Sequence, residues 1–278
     1  MKHVVRAALD LVLIGAVLYS LLPAILSRMA GIGVMRSLTS EQAIALTFDD
    51  GPHPVYTPQL LDLLKEFGVK ATFFVVGTQA EKYPDLVQRI HREGHAIGIH
   101  GYKHHLHWLK TPWTIFREAK RTADFIDRVT GSRPHLYRPP WGLLNLLDYW
   151  VLRKYQIVLW TSIPGDWRKQ HPDRLRTRIS VNMRPGAVIV LHDSDHAPGA
   201  ESGAPLIMLQ SLKCLLETLL LGKGDEDGRS ETQDKYSDLA GGRTDAPTFV
   251  ALADDRVTGR LAAVSNTALQ RETTYSSR

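Results

Sequence analysis

From residue 43 onward, short apolar runs alternate with amphipathic stretches of helical period, and this alternation limits the possible folds more than any other property of the chain. Runs at 43–48, 71–76, 96–100, 135–138, 157–160 and 187–191 have the length and composition of buried strands. Stretches at 58–66, 84–93, 113–129 and 172–183 repeat their apolar residues at the spacing of one helix face. Gly68 and Gly94 stand where such helices end in a left-handed residue. The pattern predicts a parallel α/β sheet or barrel, in which chemistry gathers at the C-terminal ends of the strands.

The reactive residues of the chain fall at those ends. Asp49 and Asp50 follow the first run, in Thr47-Phe48-Asp49-Asp50-Gly51-Pro52. Adjacent carboxylates repel, and a cation on one of them relieves the pair. Taken alone, Asp-Asp-Gly-Pro is also ordinary turn chemistry. His100 ends the third run and His104 lies four residues on, a spacing that puts both on one face of a helical turn. The same two histidines also fit a polar cluster with His105 and His107. Arg138 ends the fourth run, Asp166 and Trp167 follow the fifth, and His192 closes the sixth. So many strand-end coincidences favour one site over a set of unrelated surface groups.

One carboxylate and two neutral imidazoles make a three-ligand metal site with a position left for water. Asp50, His100 and His104 are the expected ligands. Zn²⁺ is the default for such N/O donors, with Mn²⁺, Co²⁺ and Ni²⁺ compatible with the same ligand types. Such a metal acidifies its water and polarises a carbonyl, which suits hydrolysis of an amide or ester. Asp49 is then placed to act as general base and His192 as general acid. Asp166 would orient and charge His192, and Arg138 would keep Asp49 ionised. No serine or cysteine stands in a nucleophile-elbow setting, so a covalent acyl-enzyme is disfavoured.

The remainder of the chain bounds where this happens. Residues 11–27 are uncharged and mostly aliphatic, with Lys2 and Arg6 before them and Arg28 after. Arg28 and Met29 make a poor cleavage site, so an uncleaved membrane anchor over residues 1–30 is expected rather than a signal peptide. A buried helix of the domain itself is the alternative. The net charge of +5 is scattered, with no basic stripe, and gives nucleic-acid binding no support. Cys214 is the only cysteine, which rules out an intrachain disulfide and any cysteine-rich zinc module. Residues 31–42 read as a short linker and 43–252 as the catalytic domain. A flexible polar insertion is expected near 222–247 and a disordered tail over 253–278. A strand that closes the barrel is expected within 248–252.

With TFDDGP at 47–52, His-x-x-x-His at 100–104, YRPPWG at 137–142, GDW at 165–167 and LHD at 191–193, the chain resembles the NodB-homology polysaccharide deacetylases, carbohydrate esterase family 4. The resemblance covers roughly residues 44–221. It implies a distorted (β/α)7 barrel that removes acetyl groups from N-acetylated sugars with a bound divalent metal. Motif by motif it implies Asp49 as base, Asp50, His100 and His104 as ligands, Arg138 and Asp166 as supporting residues, and His192 as acid. It further implies the Trp141 backbone N–H as oxyanion donor, with Pro140, Trp141 and Trp167 in the substrate wall. Trp108 is a further aromatic available for sugar stacking. The sequence departs from the family in having Gly101 where serine or threonine is usual, which removes a hydroxyl that would stabilise that loop. Trp141 where tyrosine is common keeps the backbone amide but changes the wall of the substrate subsite. The expected protein is thus a single-pass, extracytoplasmic deacetylase acting on N-acetyl (or O-acetyl) groups of peptidoglycan or a chitin-like glycan. The rival readings are a deacylase or deformylase of a lipid-linked sugar, and an inactive glycan-binding homologue.

Overall fold

In the computed structural model, residues 2–38, 43–221 and 247–252 are described; the predicted polar insertion, the tail and the end of the linker at 39–42 lie outside them. The chain begins with two helices, α1 (Lys2–Ala16) and α2 (Leu22–Ala30), joined through a π-helical turn at Val17–Leu21. Seven parallel strands then alternate with helices. They are β1 (Ala43–Asp49), β2 (Thr72–Val75), β3 (Ala96–Ile99), β4 (Leu136–Tyr137), β5 (Gln156–Ile157), β6 (Val188–His192) and β7 (Thr248–Phe249). The intervening helices are α3 (Tyr56–Glu66), α4 (Gly77–Lys82), α5 (Pro84–Arg92), α6 (Pro112–Thr130), α7 (Asp148–Val151), α8 (Pro172–Ser180) and α9 (Ala204–Leu221). Sheet order is β5-β4-β3-β2-β1-β6. The architecture is the distorted (β/α)7 barrel.

Strand periodicity decides what points into the barrel. In β1, Ile44, Leu46 and Phe48 pack outward under the helices, while Ala43 and Ala45 face the inner cluster with Phe74, Leu136, Val158 and Val188. The period of two carries that inner row on through Thr47 to Asp49. By the same count Leu136 leads to Arg138, Gly98 to His100, and Val188 through Val190 to His192. The lumen is therefore small and apolar at its base and polar at its mouth. Both faces of the sheet are covered, which is why β1 is buried along its whole length.

Closure differs from the expectation. The backbone just past β5 reaches β6, with Thr161 N–H donating to the Val188 carbonyl (2.9 Å) and Val190 N–H to the Ser162 carbonyl (3.0 Å). The predicted closing strand instead pairs with the start of β1, and Leu252 N–H donates to Thr72 Oγ1 at 2.8 Å, so β7 plugs the base beside β2.

Lys2–Ala30 is long and apolar enough to cross a membrane by length and composition. α9 passes the same test but is a core helix with one face buried in the barrel's outer layer. The last turns of the N-terminal helix are docked on the domain. Pro23 has no N–H to offer the Tyr19 carbonyl, and Leu22 N–H bonds back to Val17, so the Tyr19 oxygen is free of the helix. The Leu146 N–H takes it at 2.8 Å. Pro23, Ala24 and Ser27 are buried there. Gly31 (φ 67°) ends the helix, and the segment after it is no free spacer. Met35 pairs alongside Val158, and Leu38 N–H donates to the Gly186 carbonyl at 2.8 Å.

Candidate active site

At the mouth of the barrel a cavity of about 290 Å³ is lined by Asp49, Asp50, His100, His104, Trp141, Trp167 and His192, joined by Arg28, Trp160 and Ile163. Seven of the ten predicted site residues thus share one cavity. Arg138, Asp166 and Pro140 lie behind its wall. Trp108 does not line it; its indole Nε1–H donates to the Leu144 carbonyl at 3.1 Å, and Trp160 stands at the cavity instead.

Asp50, His100 and His104 converge. Asp50 Oδ1 lies 3.4 Å from His100 Nε2 and 3.0 Å from His104 Nε2. Yet Asp50 Oδ1 is buried without a properly aligned hydrogen bond. Bonds of about 2.1 Å at tetrahedral angles put neighbouring ligand atoms about 3.4 Å apart, so these side chains fit a metal ion better than each other. The His100 Nδ1–H is bound by the Arg138 carbonyl (2.8 Å), which leaves Nε2 with its lone pair toward the site. Burial pushes the Asp50 carboxyl up, but His100, His104 and His192 outweigh it and hold the group well below the usual carboxylate range. Burial likewise disfavours a charged His100, and Asp49 and Asp50 reverse the effect and raise it. That field favours any cation, whether a proton or a metal.

The two histidines are not on a helical turn, contrary to the expectation from their spacing. They flank a loop after β3 in which Gly101 (φ 73°) and His104 (φ 52°) are left-handed. Gly101 supplies that conformation where a hydroxyl residue was expected. The loop is tied to α4 by Gly77 N–H to the Gly101 carbonyl (3.0 Å) and Thr78 N–H to the Tyr102 carbonyl (2.9 Å). His107 belongs to a separate buried network, with Nδ1 3.0 Å from Asp148 and Nε2 2.9 Å from the Tyr137 hydroxyl.

Asp49 Oδ1 accepts from Arg138 Nη1 at 2.6 Å, and Oδ2 faces His100. Arg138 is fully buried, donates also to Thr47 Oγ1 (2.8 Å) and the Leu159 carbonyl (3.2 Å), and lies 4.0 Å from the Phe74 ring centre. Burial lowers its pKa, and Asp49 opposes that shift. Across the cavity, Asp166 accepts from both the His192 backbone N–H (2.6 Å) and its Nδ1 (2.9 Å). Burial works against the charged ring, but Asp166, with Asp50 and Asp49, pushes His192 up to about 10. Trp141 adopts φ 57° in the turn Pro140–Gly142, its ring centre is 4.4 Å from that of His104, and no acceptor among the described residues takes its backbone N–H. The Trp167 ring meets His192 edge-on at 5.6 Å.

Besides Arg28, Trp160 and Ile163 in the cavity lining, two residues packed at the Asp50 turn, Asp193 and Thr57, are absent from the sequence-based expectation. Asp193 is buried beside the Asp50 turn and accepts from Thr57 Oγ1 at 2.5 Å; burial, reinforced by Asp50 and Asp49, pushes it up to about 7. Thr57 Oγ1 in turn accepts the His53 N–H at 2.7 Å. The only signal for them is adjacency to the LHD motif and to the Asp-Gly-Pro turn. A Cβ at Gly51 would overlap the Asp193 carboxylate. Gly51→Ala must therefore displace either Asp193 or the Asp50 turn. We expect a loss of about 1–3 kcal/mol and weakened metal binding, read as a lower Tm and a higher Kd in a zinc titration.

The Polysaccharide deacetylase family profile matches residues 36–160. A peptidoglycan-N-acetylglucosamine deacetylase of Bacillus cereus is 40% identical over 154 residues, 54% of this chain and 56% of that protein. Another protein of that name from the same species is 33% identical over 178 residues, 63% of this chain and 83% of its own length. The structure of the peptidoglycan deacetylase PdaC from Bacillus subtilis superposes with a TM-score of 0.57 at 30% identity, covering 66% of this chain and 85% of that one. The chain thus spans about half the length of the first of these relatives and most of the second. The barrel, the order of its motifs and these likenesses together make the chain a member of the polysaccharide deacetylase family.

Proposed function

We propose that this protein is a metal-dependent hydrolase that removes acetyl groups from the N-acetylated sugars of a cell-wall glycan. The observation that carries it is the convergence of Asp50, His100 and His104 in one cavity with Asp49 and His192 beside them. The names of the relatives make peptidoglycan the first substrate to try, ahead of a chitin-like oligosaccharide. Asp50, His100 and His104 would hold a divalent cation, for which Zn²⁺ suits the donor set, and it would supply Lewis-acid polarisation of the acetyl carbonyl and a more acidic water. Asp49 takes the water proton at Oδ2, since Oδ1 is held by Arg138. The buried contact with Arg138 fixes the direction of the Asp49 carboxylate. The Trp141 N–H donates to the carbonyl oxygen as it becomes negative. His192 gives the proton on Nε2 to the leaving amine, while Asp166 holds Nδ1–H and the ring orientation. The C–N bond breaks, and acetate and a free amine leave. Pro140 opens the turn that carries Trp141, and Trp141 and Trp167, which line the cavity, offer ring faces to the sugar.

The full chain in detergent with Zn²⁺ should release acetate from peptidoglycan or N-acetylglucosamine oligomers. A protein that binds these glycans and releases nothing supports the binding-only reading instead.

The N-terminal helix fits an uncleaved anchor holding residues 43–252 outside the cytoplasm. Leu146, Leu147 and Trp150 are exposed near the Leu146–Tyr19 contact, where the helix meets the domain, and add apolar surface suited to an interface with a bilayer. That placement favours a membrane-proximal substrate, including an acylated lipid-linked sugar, as the second reading. The full chain should stay with membranes in high salt and dissolve only in detergent; recovery of a salt-released protein beginning near residue 30 contradicts the anchor.

A further inference from the structure

Arg28, in the last turn of α2, is the one lysine or arginine among the described residues that lines the catalytic cavity. Its position is fixed from both sides. Before it, the Tyr19 carbonyl is bonded to Leu146; after it, Met35 N–H donates to the Ile157 carbonyl and Leu159 N–H to the Met35 carbonyl, both at 2.8 Å. The guanidinium carbon lies 4.6 Å from the Trp160 ring centre, and Nη1 is 3.4 Å from the Trp141 carbonyl oxygen. This approach depends on Gly142 (φ 66°), where a Cβ would come within 2.9 Å of Trp160 Cζ3 and 3.1 Å of Arg28 Nη1.

No carboxylate among the described residues pairs with Arg28. The acids around the cavity are committed elsewhere: Asp49 to Arg138, Asp166 to His192, and Asp50 to the two histidines. Arg36 is close enough to add to the positive potential. An arginine held against an aromatic wall, with no anion supplied by the described residues, presents a planar fork suited to carboxylate or phosphate oxygens.

We propose that Arg28, although carried by the N-terminal apolar helix, is a substrate-positioning residue that takes an anionic group, carboxylate or phosphate, of the glycan whose acetamido group enters the cavity. The identity of the acetamido group rests on the deacetylase function proposed above; the anion site does not. It makes the N-terminal helix part of the substrate site as well as a tether.

The test is calorimetric binding to the full chain in detergent, carrying Asp49→Asn to stop turnover. Three N-acetylglucosamine-based tetrasaccharides serve as probes: one neutral, one with lactyl carboxylates on alternate sugars, and one with a phosphate at the reducing end. At least one anionic probe should bind about 10-fold or more tightly than the neutral one, since charge-assisted pairs are the strong ones. Arg28→Gln should bring that ratio to about 1, and Arg28→Lys should retain part of it. The probe that is preferred distinguishes a sugar carboxylate from a carrier phosphate. An anionic-to-neutral ratio unchanged by Arg28→Gln, or no preference in the parent, overturns the proposal; a purely structural role would weaken all three probes together and leave the ratio intact. Failure of the deacetylase function shows up separately, as no acetate from any of the three with Asp49 in place.

Discussion

His100→Ala should abolish divalent-metal binding at the Asp50 site and lower acetate release by about 10³-fold or more. The metal supplies several kcal/mol of charge stabilisation in hydrolysis of this kind. His100 is also the proposed ligand whose orientation is fixed from behind, by the Arg138 carbonyl at 2.8 Å. Zinc should raise the Tm of the parent chain and leave that of the variant unchanged, because only a folded site binds the ion. A His100→Ala protein that still binds zinc tightly and releases acetate contradicts the ligand set.

The second large effect belongs to His192. Its removal by His192→Ala should lower kcat by about 10²–10⁴-fold with metal affinity little changed, the range for a lost general acid. The pH dependence follows in sign from its environment. Although burial disfavours the charged ring, Asp166, Asp50 and Asp49 push His192 up to about 10. An acid with a raised pKa is protonated, and active, at neutral pH; activity is then lost as pH rises through that pKa. A cation at Asp50 cancels part of the field there, so the alkaline limb of the loaded enzyme should lie below 10. Asp166→Asn removes the foremost of the raising influences and should move the limb toward the ordinary histidine value of about 6.5. A kcat–pH profile of the two proteins measures the shift. Coincident alkaline limbs would mean that another group donates the proton.

The strand-end positions were legible in the sequence because buried parallel strands are short apolar runs, and the chemistry follows directly on them. Asp49, Arg138 and His192 also obey the period of two that turns their side chains into the lumen. What the sequence hid was set by long-range contacts. The spacing of His100 and His104 suits a helical turn, but the pair is assembled by two left-handed residues in a loop tied to α4. Trp108 and Trp160 are equally plausible sugar-stacking residues by composition, and only the course of the chain beyond β5 puts Trp160 at the cavity. Asp193 carries no signal of its own, since its role depends on how closely Gly51 packs against it. The apolar leader was legible as a helix. Its docking through the Tyr19 carbonyl, freed by Pro23, depends on a tertiary partner 127 residues away at Leu146, and so does the entry of Arg28 into the cavity.

The division of labour between the paired aspartates is the centre of the account, and a zinc titration run beside an acetate assay on Asp49→Asn and Asp50→Asn tests it most directly. Asparagine keeps an oxygen for Arg138 at position 49, which limits the cost of leaving that buried guanidinium without its counter-charge. Asp49→Asn should bind zinc like the parent and lose acetate release by about 10²–10⁴-fold. Asp50→Asn should lose both. Acetate release that survives Asp49→Asn, or zinc binding that depends on Asp49 and not on Asp50, would contradict it.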